Sequence, residues 1–162
     1  MTIQDLGSIG EFVAALATVA TLVYLAVQIR QNTSSLRANA YQDTVRSSND
    51  WAALFVHHPE TTAIFLKGIE NPRSLEKVEA VEFTHLLEIY LRNYTTALKL
   101  TRDGLIPATP CDAYENGLRK WFSSPELRDW WKTKNPGLSK LVESVIAAEQ
   151  GVADESSTAR RN

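Results

Sequence analysis

The sequence predicts an all-α protein in which an N-terminal transmembrane helix continues into a small cytoplasmic helical bundle. Three observations support this fold class. Residues 12–29 read FVAALATVATLVYLAVQI, which is 18 residues without a charge. No Gly or Pro occurs between Gly10 and Pro59, so one helix can continue well beyond that run. Alternating runs rich in Val, Ile and Thr and bounded by turns are absent from the sequence, which gives no indication of a strand.

The apolar segment, residues 12–29, has the length of a membrane span. At about 1.5 Å rise per residue it covers about 27 Å, close to a hydrocarbon core of about 30 Å. It is apolar on every side, which is typical of a membrane span or of the centre of a large core. A chain of 162 residues has little material with which to surround a helix. We therefore expect a transmembrane helix, and a buried helix of a soluble bundle is the alternative.

Charged residues around the apolar segment predict its orientation. Asp5 and Glu11 precede it and no Lys or Arg does, which argues against a cleavable signal peptide. Arg30, Arg37 and Arg46 follow it. The positive-inside rule then places the N-terminus outside and the rest of the chain in the cytoplasm. We expect the three arginines at the membrane interface, where they meet anionic headgroups or keep their charges in water.

Prolines and caps divide the remainder into helices. Pro59, Pro110, Pro125 and Pro136 each follow His, Thr, Ser or Asn, as a first-turn proline follows a cap. Ser74 is a further candidate cap. The weak helix formers at 31–35 mark a candidate break in the first helix. The predicted helices cover residues 6–55, 59–68, 74–102, 110–123, 125–133 and 137–149.

The helix predicted at 74–102 has the clearest core-facing stripe. Its apolar residues recur mostly at spacings of three and four, and Gly104 follows as a left-handed cap. The stripe consists of Val78, Phe83, Leu86, Leu87, Tyr90, Leu91, Tyr94, Ala97 and Leu98.

Three regions follow from this pattern. Residues 1–29 form the N-terminal segment and transmembrane helix, and residues 30–150 form the cytoplasmic helical domain. Residues 151–162 are small, polar and charged, and we expect them to be a disordered tail.

Charge and cysteine content exclude several classes of function. A formal net charge of −2 excludes a strongly basic chain that binds nucleic acid by bulk electrostatics, and we expect no nucleic-acid partner. The single Cys111 excludes an internal disulfide framework and a multi-Cys metal site.

Candidate chemical motifs have plainer structural interpretations. Glu82 and His85 have the Glu-x-x-His spacing of di-iron bundles, but such sites need two of these motifs and two more carboxylates. We expect Glu82 on a solvated face and His85 at the surface. His57 and His58 precede a proline, which fits a helix start better than a metal pair. Cys111 stands in no nucleophile motif. We therefore predict no catalytic residue, no metal site and no cofactor.

Aromatic residues near the C-terminus predict a partner surface. Trp121 and Phe122 fit the core of the small domain. Trp130 and Trp131 point about 100° apart on a helix, so we expect one of the pair to be half-exposed. This pair is the candidate surface for an unknown protein partner, with membrane contact as an alternative.

Small residues in the first helix predict self-association. Gly10, Ala14 and Thr18 are spaced by four and form a ridge that permits close approach of a second helix. The hydroxyls of Thr18 and Thr21 are expected to add hydrogen bonds across that contact. The expected partners are therefore the lipid bilayer, a second copy of the chain and an unidentified protein.

Residues 24–33, which read YLAVQIRQNT, carry a family resemblance. They resemble a stretch that follows the single apolar helix in a widespread group of uncharacterised bacterial proteins. FLKG at 65–68, DGL at 103–105, and SSP at 123–125 with the Trp130–Trp131 pair are similar to later features of that group. The resemblance covers about residues 6–145 and implies a single-pass protein of the bacterial inner (cytoplasmic) membrane, but no chemistry. The chain departs from the group at 106–111, where IPATPC replaces an acidic helix start.

The sequence thus predicts a membrane-tethered helical interaction or regulatory module without catalytic chemistry. Two alternatives stay open. One is an oligomerising membrane effector that perturbs the bilayer. The other is an enzyme whose site the sequence pattern does not show.

Overall fold

A single long helix occupies the first third of the chain. The computed structural model describes the backbone of residues 3–159 and the side chains of residues 10–147. Helix α1 (Ile3–His57) runs without the break predicted at 31–35. Thr33, inside that stretch, donates its hydroxyl to the Ile29 carbonyl oxygen at 2.9 Å. This bond pairs the Thr33 hydroxyl within the helix, so this weak helix former does not interrupt α1.

The chain divides into two compact units, Met1–Ala40 and Tyr41–Asn162. In the first unit, every residue from 10 to 39 is exposed. We call the second unit the bundle; it comprises the end of α1 and the helices that follow. The bundle's helices are α2 (Pro59–Glu70), a 3-10 helix (Pro72–Ser74), α3 (Lys77–Arg102), α4 (Thr109–Trp121), α5 (Pro125–Lys134) and α6 (Pro136–Ala159).

The all-α prediction is confirmed, since residues 3–159 contain helices and turns and no strand. The predicted helix starts are confirmed where a proline marks them. Helices α2, α5 and α6 begin at a proline, and α4 begins one residue before Pro110. Side-chain caps support two of these starts: Ser124 Oγ accepts from the Leu127 N–H at 3.4 Å, and Asn135 Oδ1 accepts from the Leu138 N–H at 3.2 Å.

The predicted start of α3 at Ser74 is wrong. Ser74 ends the 3-10 helix and donates its hydroxyl to the Asn71 carbonyl at 2.7 Å. The helix starts at Lys77, after a capping box in which the Glu79 side chain accepts from the Glu76 N–H at 2.8 Å. Because Val78 lies in this first turn, before the helix reaches the core, it is 78% exposed.

The rest of the α3 stripe is confirmed and places this helix at the centre of the core. Seven of the nine predicted residues are buried, from Phe83 to Ala97, and Leu98 is half-buried. The predicted left-handed ending is also confirmed. Gly104 has φ +69°, and the Leu105 N–H donates to the Leu100 carbonyl at 2.9 Å. This is the Schellman ending, which only glycine adopts without strain.

Helix α6 continues ten residues beyond the end predicted at 149. The backbone of residues 151–159, within the predicted disordered tail at 151–162, is part of this helix, and residues 160–162 lie outside the described residues.

Candidate functional site

The apolar segment presents its side chains outward. Leu25, the least exposed of its large apolar side chains, is still 46% exposed, and Phe12 is 69% exposed. Among the described residues, one helix, Gly10–His57, is long and apolar enough to cross a membrane. The most apolar 18-residue window of this helix has a mean hydropathy of 2.1, and no residue of the window is buried.

Polar side chains of the apolar segment are satisfied within the helix. Thr18 Oγ1 donates to the Ala14 carbonyl at 2.9 Å, and Thr21 Oγ1 donates to the Ala17 carbonyl at 2.8 Å. Gln28 Nε2 donates to the Tyr24 hydroxyl oxygen at 2.6 Å. Each of these bonds joins residues four apart in the same helix.

These bonds bear on the prediction about helix–helix contact. Gly10, Ala14 and Thr18 lie exposed along α1, and a Cβ added at Gly10 would meet nothing within 4 Å. In the single chain the hydroxyls of Thr18 and Thr21 donate inside the helix, and donation across a contact with a second helix stays a prediction. The ridge itself stays a prediction.

The three predicted interface arginines do not belong to one unit. Arg30 and Arg37 lie in Met1–Ala40, seven residues apart and therefore on one helical face, whereas Arg46 lies in the bundle. All three are exposed. Their contact with a membrane interface stays a prediction.

The prediction that Trp130 or Trp131 is half-exposed is wrong. Trp130 is 9% exposed and Trp131 is 1% exposed. Helix α5 has neighbours on two sides, so two rings about 100° apart both find cover: Trp130 packs against Phe83 at 5.5 Å between ring centroids, and Trp131 packs against Phe122 at 6.1 Å. The pair offers little surface to a partner.

An aromatic cluster joins the end of α1 to the rest of the bundle. Trp51 lies 4.8 Å from Tyr90 and 5.6 Å from Trp121, measured between ring centroids, and Tyr90 lies 4.6 Å from Trp121. Phe65 contacts both tryptophans. The Trp51 indole Nε1–H donates to the Leu86 carbonyl at 3.0 Å. Residues of α1, α2, α3 and α4 are thereby held in one packing unit.

Two glycines permit the closest approaches in this core. A Cβ at Gly68 of α2 would lie 2.6 to 2.7 Å from atoms of the Phe83 ring. A Cβ at Gly117 of α4 would overlap the Tyr90 hydroxyl. That hydroxyl donates to the Tyr114 carbonyl at 3.2 Å. The core therefore depends on these two positions having no side chain.

Next to the cluster lies an aromatic groove between the end of α1 and α4, with a volume of about 430 Å³. Tyr41, Val45 and Ser48 line it from α1, and Ala113 and Tyr114 line it from α4. No residue that lines it carries a charge. Tyr114 is 4% exposed, and its hydroxyl is buried without a hydrogen-bond partner.

No known family model, curated protein or solved structure matches this chain. The residues themselves therefore provide the functional conclusion.

The residues of the candidate chemical motifs do not come together. His57 and His58 are exposed, and His58 Nδ1 lies 3.3 Å from Glu60. Glu82 is half-buried rather than solvated, and its carboxylate accepts from Thr61 Oγ1 at 2.8 Å. The exposed His85 lies 3.4 Å from Glu88. Among the residues that the structure describes, no group of three or more His, Cys, Asp or Glu side chains could hold a metal ion.

Cys111 is a buried packing residue. It is 4% exposed, and its sulfur lies 3.3 Å from Thr101 Oγ1. Close by, Tyr94 donates its hydroxyl to Glu115 at 2.9 Å, and Glu115 pairs with Arg119 at 2.7 Å. Burial raises the pKa of Tyr94, and the hydrogen bond to Glu115 raises it further. Tyr94 therefore stays neutral and acts as a hydrogen-bond donor inside the fold.

Lys67 of α2 and Glu79 of α3 form an ion pair at 2.6 Å. The hydrogen bond from Lys67 and the backbone N–H of Glu76 hold the pKa of the Glu79 carboxyl below its usual range. The pair connects the two helices at the capping box of α3.

Sequence reasoning missed the aromatic groove. A signal was present, because Tyr41, Val45, Ser48 and Ala52 follow one another at spacings of four, three and four. Such spacing places them on one face of α1. The pattern gave no sign that α4 provides the facing wall.

Proposed function

We propose that this protein is a membrane-tethered helical module whose apolar segment crosses a bilayer once. The observation that supports this proposal is that every residue of an uncharged, 18-residue helical run is exposed. Water is a poor solvent for this surface, since burial of apolar area is worth about 25 cal/mol per Å². A bilayer provides that burial without any partner from the same chain.

Insertion energetics agree with this proposal. Nine of the 18 residues in the apolar segment are Leu, Ile, Val or Phe. Each contributes roughly 0.3–0.6 kcal/mol near the bilayer centre, or roughly 3–5 kcal/mol together. Thr18, Thr21 and Gln28 oppose insertion, but their internal hydrogen bonds reduce the cost.

The bundle is then an interaction or regulatory module held at the membrane. Two of its polar contacts join different parts of the fold: Asn135 donates to Glu88 at 2.8 Å, and Thr61 donates to Glu82 at 2.8 Å. Its aromatic groove is lined by uncharged residues. These features favour binding over acid–base chemistry.

Orientation follows from charge. Arg30 and Arg37 follow the apolar segment, so we propose that the bundle is cytoplasmic and the N-terminus outside. An alkaline-phosphatase fusion after Asn162 should be inactive in bacteria, because that enzyme folds only outside the cytoplasm. High activity of the fusion would contradict this orientation.

A matched pair of arginine substitutions tests the membrane proposal. Leu22 is 61% exposed and Leu36 is 55% exposed, and both lie on α1. In water the two changes Leu22→Arg and Leu36→Arg should be equally mild. In a bilayer only Leu22 lies at mid-span, where a charge costs at least roughly 2.5–3.5 kcal/mol.

The measurement is the share of protein that sediments with membranes and resists carbonate extraction. We expect wild type and Leu36→Arg to stay in the membrane, and Leu22→Arg to leave it or be degraded. Wild-type protein that is soluble without detergent would overturn the proposal. Equal behaviour of the two variants would do the same.

A further inference from the structure

The aromatic groove has the size and lining of a small-molecule site. Its volume of about 430 Å³ lies within the roughly 300–1,000 Å³ typical of ligand pockets. Flat aromatic side chains form much of the wall, including Trp51, Tyr90 and Trp121. These three rings pack against one another and so are held in place before any ligand arrives.

The absence of charged residues from the lining of the groove restricts the charge of its ligand. No lining residue of the groove is charged, whereas Asp43, Arg46 and Asp50 lie exposed on the adjoining part of α1. The ligand should therefore be neutral, because a buried ion would find no partner there. These charges border the groove along α1, and a protein partner needs about 800 Å² on each side. A small molecule fits a groove bordered by charges better than a second chain does.

Tyr114 adds a specific polar requirement. Its hydroxyl is buried and has no hydrogen-bond partner, although the residue lines the groove. Burial raises the pKa of Tyr114; the Ser48 side chain opposes this in part, but its contact with the hydroxyl falls outside hydrogen-bond geometry. A buried hydroxyl without a partner is costly, and an acceptor brought by a ligand would remove that cost.

We propose that the aromatic groove binds a neutral aromatic molecule that carries a carbonyl oxygen. The rings of the groove stack against the ligand, and the Tyr114 O–H donates to its carbonyl. This site is independent of the membrane proposal, since every lining residue belongs to the bundle.

Benzophenone is a suitable probe because it is a neutral diaryl ketone that also reports its own position. On irradiation its excited carbonyl takes a hydrogen atom from a nearby C–H bond, and the two resulting radicals join in a new C–C bond. Full-length protein in a neutral detergent is irradiated over a range of benzophenone concentrations. Peptide mass spectrometry then locates the adducts.

We expect adducts on peptides covering 41–52 and 109–121, and their yield should saturate with concentration. Labelling of residues 12–29 from benzophenone dissolved in detergent should increase without saturation, and it provides an internal reference. Adducts on the reference segment alone would overturn the proposal. A groove covered by a second copy would stay unlabelled at every concentration and would also overturn it.

Three variants test the polar contact and the position. Tyr114→Phe should raise the half-saturating concentration about 2- to 10-fold, as expected for loss of one neutral hydrogen bond. Ala113→Leu places extra bulk in the groove from an exposed helix position and should abolish saturable labelling. Tyr94→Phe removes another buried hydroxyl, one already bonded to Glu115, and should leave labelling of the groove unchanged. Equal half-saturation for wild type and Tyr114→Phe would contradict the proposed hydrogen bond, and full labelling of Ala113→Leu would contradict the site.

Discussion

Leu22 and Leu87 are the same amino acid in opposite surroundings. Leu22 of the apolar segment is 61% exposed, whereas Leu87 of α3 is fully buried. In the bundle, folding itself removes apolar side chains from water. In the first unit it does not, because every residue from 10 to 39 is exposed. Intramolecular packing thus accounts for the stability of one region, and the other depends on its surroundings.

Hydrogen bonds show the same contrast. In the apolar segment, Thr18 and Thr21 donate to carbonyls four residues earlier in their own helix. In the bundle, side-chain donors reach other helices, as when Trp51 donates to Leu86 and Asn135 donates to Glu88. A helix whose polar groups are satisfied locally can move between environments as a unit. A bundle whose bonds cross between helices cannot be taken apart without leaving donors unpaired.

The largest expected effect distinguishes the two leucines. Leu87→Ala should lower the free energy of unfolding of the bundle by about 2–5 kcal/mol, because it leaves a cavity in the core. Leu22→Ala should leave that free energy unchanged, because Leu22 contributes nothing to the core. Urea unfolding in detergent, followed by tryptophan fluorescence, measures both. Similar losses for the two variants would show that the apolar segment packs on the bundle.

A pair of glycines provides the next largest effect. Gly68→Ala forces a methyl group against the Phe83 ring and should cost about 1–3 kcal/mol. Gly10→Ala meets nothing within 4 Å and should stabilise α1 locally by about 0.5–1 kcal/mol. Thermal unfolding of the bundle should respond to the first change only. A destabilised bundle in Gly10→Ala would break the contrast between the two regions.

The Lys67–Glu79 pair predicts a pH dependence that belongs to the bundle. The pKa of Glu79 is lower in the folded protein than its ordinary value of 4.5. Its contribution to stability is therefore present above that value and is lost as the pH falls through the folded pKa. Glu79→Gln should be less stable than wild type near pH 6, and the two should converge once the pH has fallen below the folded pKa of Glu79. Urea midpoints across this range test it, and a constant difference would show that Glu79 is not the group responsible.

The smallest expected effect concerns association of the apolar segments. Ala14→Leu with Thr18→Leu enlarges the small-residue ridge and should weaken a membrane two-hybrid signal. Val13→Leu with Val19→Leu enlarges another face and should change it less. The Thr18 hydroxyl donates to the Ala14 carbonyl within its own helix, so we expect the effect to come mainly from packing. Equal signals from the two double variants would contradict the proposed face, and no signal from wild type would contradict the oligomer.

Local signals predicted most of the helices. Proline lacks a backbone N–H, but the first N–H groups of a helix have no intrahelical acceptor, so nothing is lost at a helix start. Its ring also fixes φ at a helical value. Helices therefore begin at Pro59, Pro125 and Pro136. The stripe from Phe83 to Ala97 predicted the buried face of α3 because a central helix repeats its contacts every three or four residues. Gly104 predicted the helix ending because only glycine adopts its positive φ without strain.

Tertiary contacts could not be predicted in the same way. The burial of both Trp130 and Trp131 depends on neighbours on two sides of α5, and spacing within α5 shows only the angle between them. The aromatic groove depends on α4 lying opposite the end of α1, and Tyr90 of α3 also lines it. The sequence pattern shows which residues share a face, but it does not show which face of another helix they meet.

The aromatic cluster also determines when the bundle can form during synthesis. Trp51 packs against Trp121, so the cluster is incomplete until residue 121 has left the ribosome, and Val145 of α6 emerges later still. At about 5–20 residues per second, the apolar segment is synthesised about 6–23 s before residue 145. During that interval it is an exposed apolar helix in a nascent chain that has no finished core. Any factor that recognises this helix on the ribosome acts before the bundle exists, so targeting and folding occur one after the other along the same chain.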